Sequence, residues 1–349
     1  MAGDPRSERV LIRAPNWLGD AVMAIPAMAA LRRHFRSARL TVAAPAAVAA
    51  LFRERTTVEP DAVIELAGTR RTEVDAVRGG LFGTVVLLPN SFRSAWQMRR
   101  AGVPERWGYA SAGRRLVLTK AARRPSRREV RHQADYYREL VRRLGVDCAA
   151  DELPRVDVSD ASVRAAEALL AKQKVPAGAP FVAFLPGAAY GQAKQWPSER
   201  MAELSARLAT ARGARSVILG AAHDRPAARA IESWLRARAP EAAPFVIDLV
   251  GRTSLGALAG VLARAVVCVT NDSGGMHLAS ALGCPVVAIF GPTDERATRP
   301  CGDHDLMTEA VFCRPCLLRD CPIDHRCMKR VTVDRVWAAV TTRLDQGAR

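Results

Sequence analysis

The sequence predicts an α/β protein made of two doubly wound halves of similar size. Three observations carry that prediction. Short apolar, β-branched runs alternate with helical segments along the chain. The alternation breaks and restarts once, near residues 172–180. Loops rich in Gly, Pro, Asn and Asp follow several of the strands, at the edge where open parallel sheets bind ligands.

The elements follow in order. VLIRA (10–14) is the first candidate strand, and after APNWLGD come Val22, Ile25, Met28, Ala29 and Leu31 at helical intervals. LTVAA (40–44), AVIEL (62–66), TVVLLP (84–89) and a shorter LVLT (116–119) continue the strand series. A helix from about Arg131 to Leu144 is followed by the polar stretch DCAADELPRVDVSD and a second helix over 161–174. The series restarts after Pro176 with FVAFLPG (181–187), SVILGA (216–221), FVIDLVG (245–251), AVVCVTND (265–272) and VVAIFGP (286–292). The expected domains are therefore 1–175 and 176–349, with a cleft between them.

Bulk properties narrow the class. A chain of 349 residues, 49% of them hydrophobic, can bury two cores. No apolar run reaches the roughly 18–20 residues that cross a bilayer. MAGDPRSERV lacks the apolar centre of a signal peptide, so a cytoplasmic location is expected. Eight cysteines in that compartment point to reduced thiols or a metal rather than a disulfide framework. Cys313, Cys316, Cys321 and Cys327, with His325 among them, follow a C-x2-C-x4-C-x5-C spacing; four such soft ligands could fold around zinc, although the spacing is not that of a paired zinc knuckle. They are expected to form a structural loop of reduced thiols without metal.

The net charge of +17 favours an anionic partner. Arg93, Arg99, Arg100, Arg106, Arg114, Arg115, Lys120, Arg123, Arg124, Arg127, Arg128 and Arg131 crowd one region. Few aromatic residues interleave with them, and no helix-turn-helix, zinc-finger or RNA-recognition signature accompanies them, so nucleic acid is not the expected partner. An arginine-rich surface with no specific partner would give the same net charge.

Three loops carry candidate chemistry. In APNWLGDAVMAIPAM, Asp20 stands at a helix entrance, where it could accept a proton or simply serve as an N-cap worth about 1 kcal/mol. In LPGAAYGQAKQWP, Lys194 precedes a helix start and offers a point charge to a phosphate, although a loop lysine can equally be solvated surface. In TNDSGGMHLASALGCPVVAIFGPTD, Asp272 or Ser273 can cap a helix, and Gly274 and Gly275 leave its first N–H groups open to a diphosphate. A tightly capped turn would have the same pattern. His277 could reach the same anion or pack beneath it. The G-x-G-x-x-G and G-x-x-x-x-G-K-[ST] motifs are absent, which argues against a dehydrogenase or a nucleoside triphosphatase. Asp303-His304-Asp305 has the form of a metal-chelating D-x-D, but is read as a surface loop with no strand before it.

PNWLGDAVMAIPAMAAL, LPNSFRSAW (88–96), RWGYA (106–110), PGAAYGQAKQWP and NDSGGMHLASALGCPVVAIFGPTDERATRP follow one another in order. Together they resemble the ADP-heptose:lipopolysaccharide heptosyltransferases, most closely the heptosyltransferase II branch, over nearly the whole chain. The resemblance implies a GT-B fold, two facing Rossmann-like domains with the acceptor on the first and the nucleotide sugar on the second. It implies inverting transfer of heptose from ADP-heptose to an inner-core heptose, without a cofactor or metal. Asp20 matches the family's general base, Lys194 the lysine of the donor loop, and Asp272, Ser273, Gly274, Gly275 and His277 the block around the sugar nucleotide. Gly274-Gly275 stands where many relatives have Gly-Pro. Asp224, after SVILGA, is placed near the ribose hydroxyls. Asn16, Asn90, Arg93 and Arg114 are expected on the acceptor side, gripping an acidic lipopolysaccharide precursor at the cytoplasmic face of the inner membrane. A different GT-B transferase, or a non-catalytic binder of anionic ligands, would share much of this pattern.

Overall fold

The computed structural model describes residues 8–111, 113–126 and 131–347, which leaves Arg127 and Arg128 of the basic region outside the described residues. The chain divides into two compact units, Met1–Asp157 and Val158–Arg349. The first contains β1 (Arg9–Arg13), β2 (Arg39–Pro45), β3 (Arg55–Thr56), β4 (Ala62–Leu66), β5 (Thr84–Leu87), β6 (Glu105–Ala110), β7 (Lys120–Arg123) and β8 (Val156–Asp157). Six of these form a parallel sheet ordered β4-β2-β1-β5-β6-β7, while β3 and β8 make a separate antiparallel pair.

The second unit contains β9 (Phe181–Leu185), β10 (Arg215–Ile218), β11 (Val246–Asp248), β12 (Val267–Asn271), β13 (Val286–Ile289) and β14 (His304–Met307). Its sheet is parallel throughout and ordered β11-β10-β9-β12-β13-β14. Counted within each sheet, both orders read 3-2-1-4-5-6, the doubly wound Rossmann arrangement. The order reverses between β1 and β5 in one unit and between β9 and β12 in the other. Loops leaving those strand ends turn to opposite faces and open a crevice between them.

Burial explains why the central strands were visible in the sequence. All five residues of β9 and of β12 are buried, because helices cover both faces of a parallel sheet. The covering helices bury one stripe each. Ser198–Arg212 buries Met201, Leu204, Ser205 and Leu208 and ends at Gly213, whose left-handed φ of 58° suits a helix C-terminus.

Three features differ from the sequence expectation. LVLT (116–119) is not a strand: Arg114–Leu116 is a 3-10 turn, and the strands flank it as β6 and β7. Val117 and Leu118 are apolar because they pack into the core beneath that turn. β14 begins at His304, so the D-x-D triplet enters a strand, one whose charged residues hid it. Finally, the units divide at 157/158 rather than at 175/176. The helix Asp160–Lys172, capped by Ser159 accepting from the Ser162 N–H, packs on the helix Leu255–Arg264 of the second unit. A Cβ added to Gly260 would lie 2.5 Å from the Ser162 carbonyl oxygen and 2.7 Å from the Ala166 Cβ.

That close approach makes a prediction. Gly260→Val forces the two helices apart and is expected to destabilise the protein by about 1–3 kcal/mol, the usual cost of overpacking. Thermal unfolding checks it, and an unchanged Tm would mean that the helix Asp160–Lys172 is only loosely held.

Candidate functional site

In the second sheet, the loop after β9 and the loop after β12 flank the point of reversal, and Asn271 ties them together. Its fully buried amide donates to the Pro186 carbonyl at 2.7 Å and accepts from the Trp196 N–H at 2.9 Å. Lys194, ending a short 3-10 turn, donates from Nζ to Asp272 Oδ2 at 2.6 Å and lies 4.8 Å from the centre of the Tyr190 ring. The same Oδ2 accepts from Thr293 Oγ1 at 2.7 Å. The Lys194 and Asp272 side chains are only 12% and 5% exposed. Loops from β9, β12 and β13 therefore converge on one carboxylate oxygen. A buried pair of this kind fixes geometry more than it adds stability. An ammonium has three donors, so the bond to Asp272 orients Lys194 without exhausting it.

The helix Gly274–Ala281 starts directly after this pair. Ser273 is its N-cap but makes no side-chain cap bond, so its hydroxyl does not occupy the first-turn N–H groups. Gly275 has a packing reason: a Cβ there would lie 2.8 Å from the Leu185 side chain at the end of β9. Ser273, Gly274 and Gly275 are half-buried. His277 is buried beneath the turn at 5% exposure. Asp224 lies past the end of β10, the second strand of the sheet, where Rossmann folds place the acid that binds a ribose. It is buried against glycine backbone, since a Cβ at Gly187 would lie 2.1 Å from its carboxylate, and Oδ2 accepts from the Ala221 N–H at 2.9 Å.

In the first sheet, Asp20 occupies the first turn of the helix Leu18–Met23, but the N-cap is Trp17. Asp20 is thus the third helical residue, where a negative charge faces the positive end of the helix dipole. Trp17 is 61% exposed. The neighbour of Asp20 is Tyr137, from the helix Gln133–Arg143, whose hydroxyl hydrogen-bonds the Asp20 carboxylate. Burial first, and the Asp20 charge second, push the Tyr137 phenol well above its ordinary titration range.

The residues expected on the acceptor side divide. Asn16 is exposed and accepts from Arg13 Nη2 at 2.7 Å. Burial holds the Arg13 guanidinium down to about 10. Asn90, after β5, donates to the Tyr136 hydroxyl at 2.9 Å, and Arg124 Nε donates to that hydroxyl at 3.0 Å. Arg93, Arg99 and Arg100 are exposed on the helix Phe92–Arg100. Arg114 is not on this face but fully buried, because Gly113, at a φ of 75°, turns the chain inward and Gly108 leaves room. One guanidinium nitrogen donates to the Pro89 carbonyl, Nε and Nη2 have no hydrogen-bond partner among the described residues, and burial lowers the group to about 10. Arg106 is also spent internally, donating to the carbonyls of Val117 at 2.7 Å and Pro104 at 2.6 Å.

Asp303 and Asp305 both pair with Arg343, at 2.5 and 3.0 Å. All eight cysteines are free thiols. Among the described residues no group of His, Cys, Asp or Glu has the arrangement of a metal site. The sequence reading missed Thr293, Tyr190, Asn271 and Tyr137. Thr293 had a signal, since it follows β13 in GPTD as the other loop residues follow their strands. Tyr137 had none, because its bond to Asp20 spans over a hundred residues of chain.

Residues 71–326 match the family model of glycosyltransferase family 9 (heptosyltransferase). The chain is 30% identical over 306 residues to lipopolysaccharide heptosyltransferase 2 of Salmonella typhimurium, covering 84% of this chain and 85% of that protein. It is 28% identical over 305 residues to lipooligosaccharide heptosyltransferase 2 of Haemophilus influenzae, covering 84% and 86%. The solved ADP-heptose lps heptosyltransferase II of E. coli superposes with a TM-score of 0.82 at 26% identity, covering 98% of this chain and all of that one.

The burial of Arg114 can be tested without any ligand. A buried charge with two unpaired donors is a net cost, so an apolar chain of similar length removes that cost while losing one bond. Arg114→Met is expected to keep its Tm within about 3 °C of the unaltered protein or to raise it. A fall of about 10 °C would mean that the bond to Pro89 outweighs the desolvation of the cation.

Proposed function

Because the chain belongs to glycosyltransferase family 9, the heptosyltransferases, we propose that it transfers L-glycero-D-manno-heptose from ADP-heptose to the inner-core heptose of a lipopolysaccharide precursor, with inversion. The observation that carries this reading is the Lys194–Asp272–Thr293 cluster at the point of strand reversal, followed at once by the Gly274–Ala281 helix. The Salmonella and E. coli relatives, named for lipopolysaccharide and ADP-heptose, supply the acceptor and donor of this reading.

In this proposal the second unit binds the donor. Lys194 and the amides at 273–275 meet the diphosphate, where they stabilise the charge that grows on the departing ADP. His277 supports the turn from below, and Asp224 turns toward the ribose when nucleotide enters. The first unit binds the acceptor, with Asn16, Asn90 and Arg93 around it and Arg114 bracing the Asn90 loop through Pro89. Asp20 takes the proton from the attacking hydroxyl as that oxygen bonds the anomeric carbon. The bond from the anomeric carbon to the phosphate oxygen breaks, and its electron pair leaves on ADP. Tyr137 holds the Asp20 carboxylate in one orientation.

The acceptor brings the protein to the cytoplasmic face of the inner membrane as a peripheral enzyme. Supporting this, Phe92 and Trp96 stack at 6.1 Å and are each 43% exposed, with Arg93, Arg99 and Arg100 on the same short helix. Aromatic rings and guanidinium groups side by side suit an anionic headgroup layer. No helix among the described residues is long and apolar enough to cross a membrane.

Two predictions test these roles. Asp20→Asn keeps size and polarity and loses only proton acceptance and a charge at the helix start. It is expected to fold and to bind ADP normally, while kcat falls roughly 10²–10⁴-fold, the usual worth of a positioned base. A change in KM alone would reduce Asp20 to a structural residue. Replacing Arg93 and Arg99 together with Gln is expected to raise the acceptor KM and leave ADP affinity unchanged. Added salt should weaken acceptor binding in parallel, because exposed charges are screened over about 8 Å at physiological ionic strength. An equal loss of ADP affinity would refute the division of labour between the units.

A further inference from the structure

Residues 313–327 form an irregular segment with no helix or strand until its last two residues. Stretches of that length without regular structure are uncommon in compact domains, and they tend to be functional. This one spends its hydrogen bonds on two loops. Ala193, immediately before Lys194, has both backbone groups taken by it: its N–H donates to the Arg319 carbonyl at 2.9 Å, and its carbonyl meets His325 Nε2 at 2.7 Å. Because a carbonyl only accepts, Nε2 carries the hydrogen. The Tyr190 hydroxyl donates to the Leu317 carbonyl at 2.7 Å. Gly191 is needed for this approach, since a Cβ there would lie 2.4 Å from the Arg319 carbonyl oxygen.

The same segment grips the loop after β13. The Leu317 N–H donates to the Pro292 carbonyl at 2.9 Å, and Arg314 donates to the carbonyls of Gly291 at 2.7 Å and Thr293 at 3.2 Å. Lys194 and Thr293 both donate to Asp272 Oδ2. A single segment thus holds the backbone beside both of them. His325 itself is fixed in the left-handed region, at a φ of 60°, by its N–H donating to Cys321 Sγ at 3.3 Å.

We infer that residues 313–327 act as a clasp that sets Lys194 and Thr293 on Asp272, and that His325 is the positioning residue for Lys194. The inference rests on the proposal that Lys194 meets the donor diphosphate. It gives the cysteine-bearing segment a role in donor binding through backbone contacts, with the Cys321 thiol holding the turn that presents His325.

The test is ADP binding by calorimetry on the full chain, together with donor and acceptor KM. His325→Asn keeps a residue that tolerates the left-handed region but is too short to reach Ala193. It is expected to weaken ADP binding about tenfold, the effect of losing one bond and shifting a charge. The donor KM should rise with it, while the acceptor KM stays unchanged. His325→Gln restores the reach and is expected to bind ADP within about threefold of the unaltered protein. Should His325→Asn fail to fold, Tyr190→Phe, which keeps the ring and removes the bond to Leu317, is expected to weaken ADP binding in its place. Lys194→Gln separates the two ideas. If it loses ADP affinity while His325→Asn and Tyr190→Phe bind ADP like the unaltered protein, the clasp is overturned and the donor reading stands. A His325→Gln as weak as His325→Asn also overturns the clasp. If Lys194→Gln itself binds ADP normally, the donor reading fails.

Discussion

The reversal of strand order beside the first strand of each sheet is the constraint on which the rest depends. Crossovers between parallel strands are right-handed, so a sheet that grows first to one side and then to the other must send adjacent loops to opposite faces. Between β1 and β5, and again between β9 and β12, this opens a crevice at the carboxyl ends of the strands. Asp20 and Asn90 belong to loops or helix starts at the first crevice, and Lys194 and Asp272 to those at the second. Their types differ, but they owe their places to the same topological fact.

The two crevices are held by different means. In the second unit one buried carboxylate oxygen takes donors from loops after β9 and β13 while sitting on the loop after β12. An unpaired carboxylate could not remain buried there, so Asp272 compels the loops to stay together. Asn271 does the same one residue earlier with neutral groups. In the first unit the constraint on Asp20 comes from a distant helix through Tyr137. Asp20, unlike Asp272, is only half-buried.

The clustered basic residues of the first unit do not all reach solvent alike. Arg114 is interior, Arg106 is consumed by carbonyl groups, and Lys120 lies 4.1 Å from the centre of the Trp107 ring. Arg93, Arg99 and Arg100 are exposed together. Net charge counts residues, whereas an anion meets only those whose guanidinium groups reach solvent. Arg115, Lys120 and Arg123 reach solvent as well, so among the described basic residues of this region only Arg114 is buried.

The alternation of apolar runs and helical stretches was enough to read two doubly wound units, because strands buried on both faces are apolar throughout. It was also enough to place Asp20, Lys194 and the Asp272–His277 block beyond strand ends, because loops there keep the Gly, Pro and Asp that their turns require. β6, β7 and β14 escaped, since strands toward a sheet edge carry charges and aromatics that break the pattern, and the two-residue β3 and β8 are too short to show one. The helix Asp160–Lys172 was legible as a helix, but its unit was decided by the room that Gly260 leaves, a contact about a hundred residues away. Local pattern thus determined which segments are strands and helices and which loops end them. Tertiary structure alone decided that Arg114 is buried, that Tyr137 meets Asp20, and that residues 313–327 grip Ala193. Those facts depend on which distant backbones come within hydrogen-bonding distance, and no period or spacing along a chain encodes that distance.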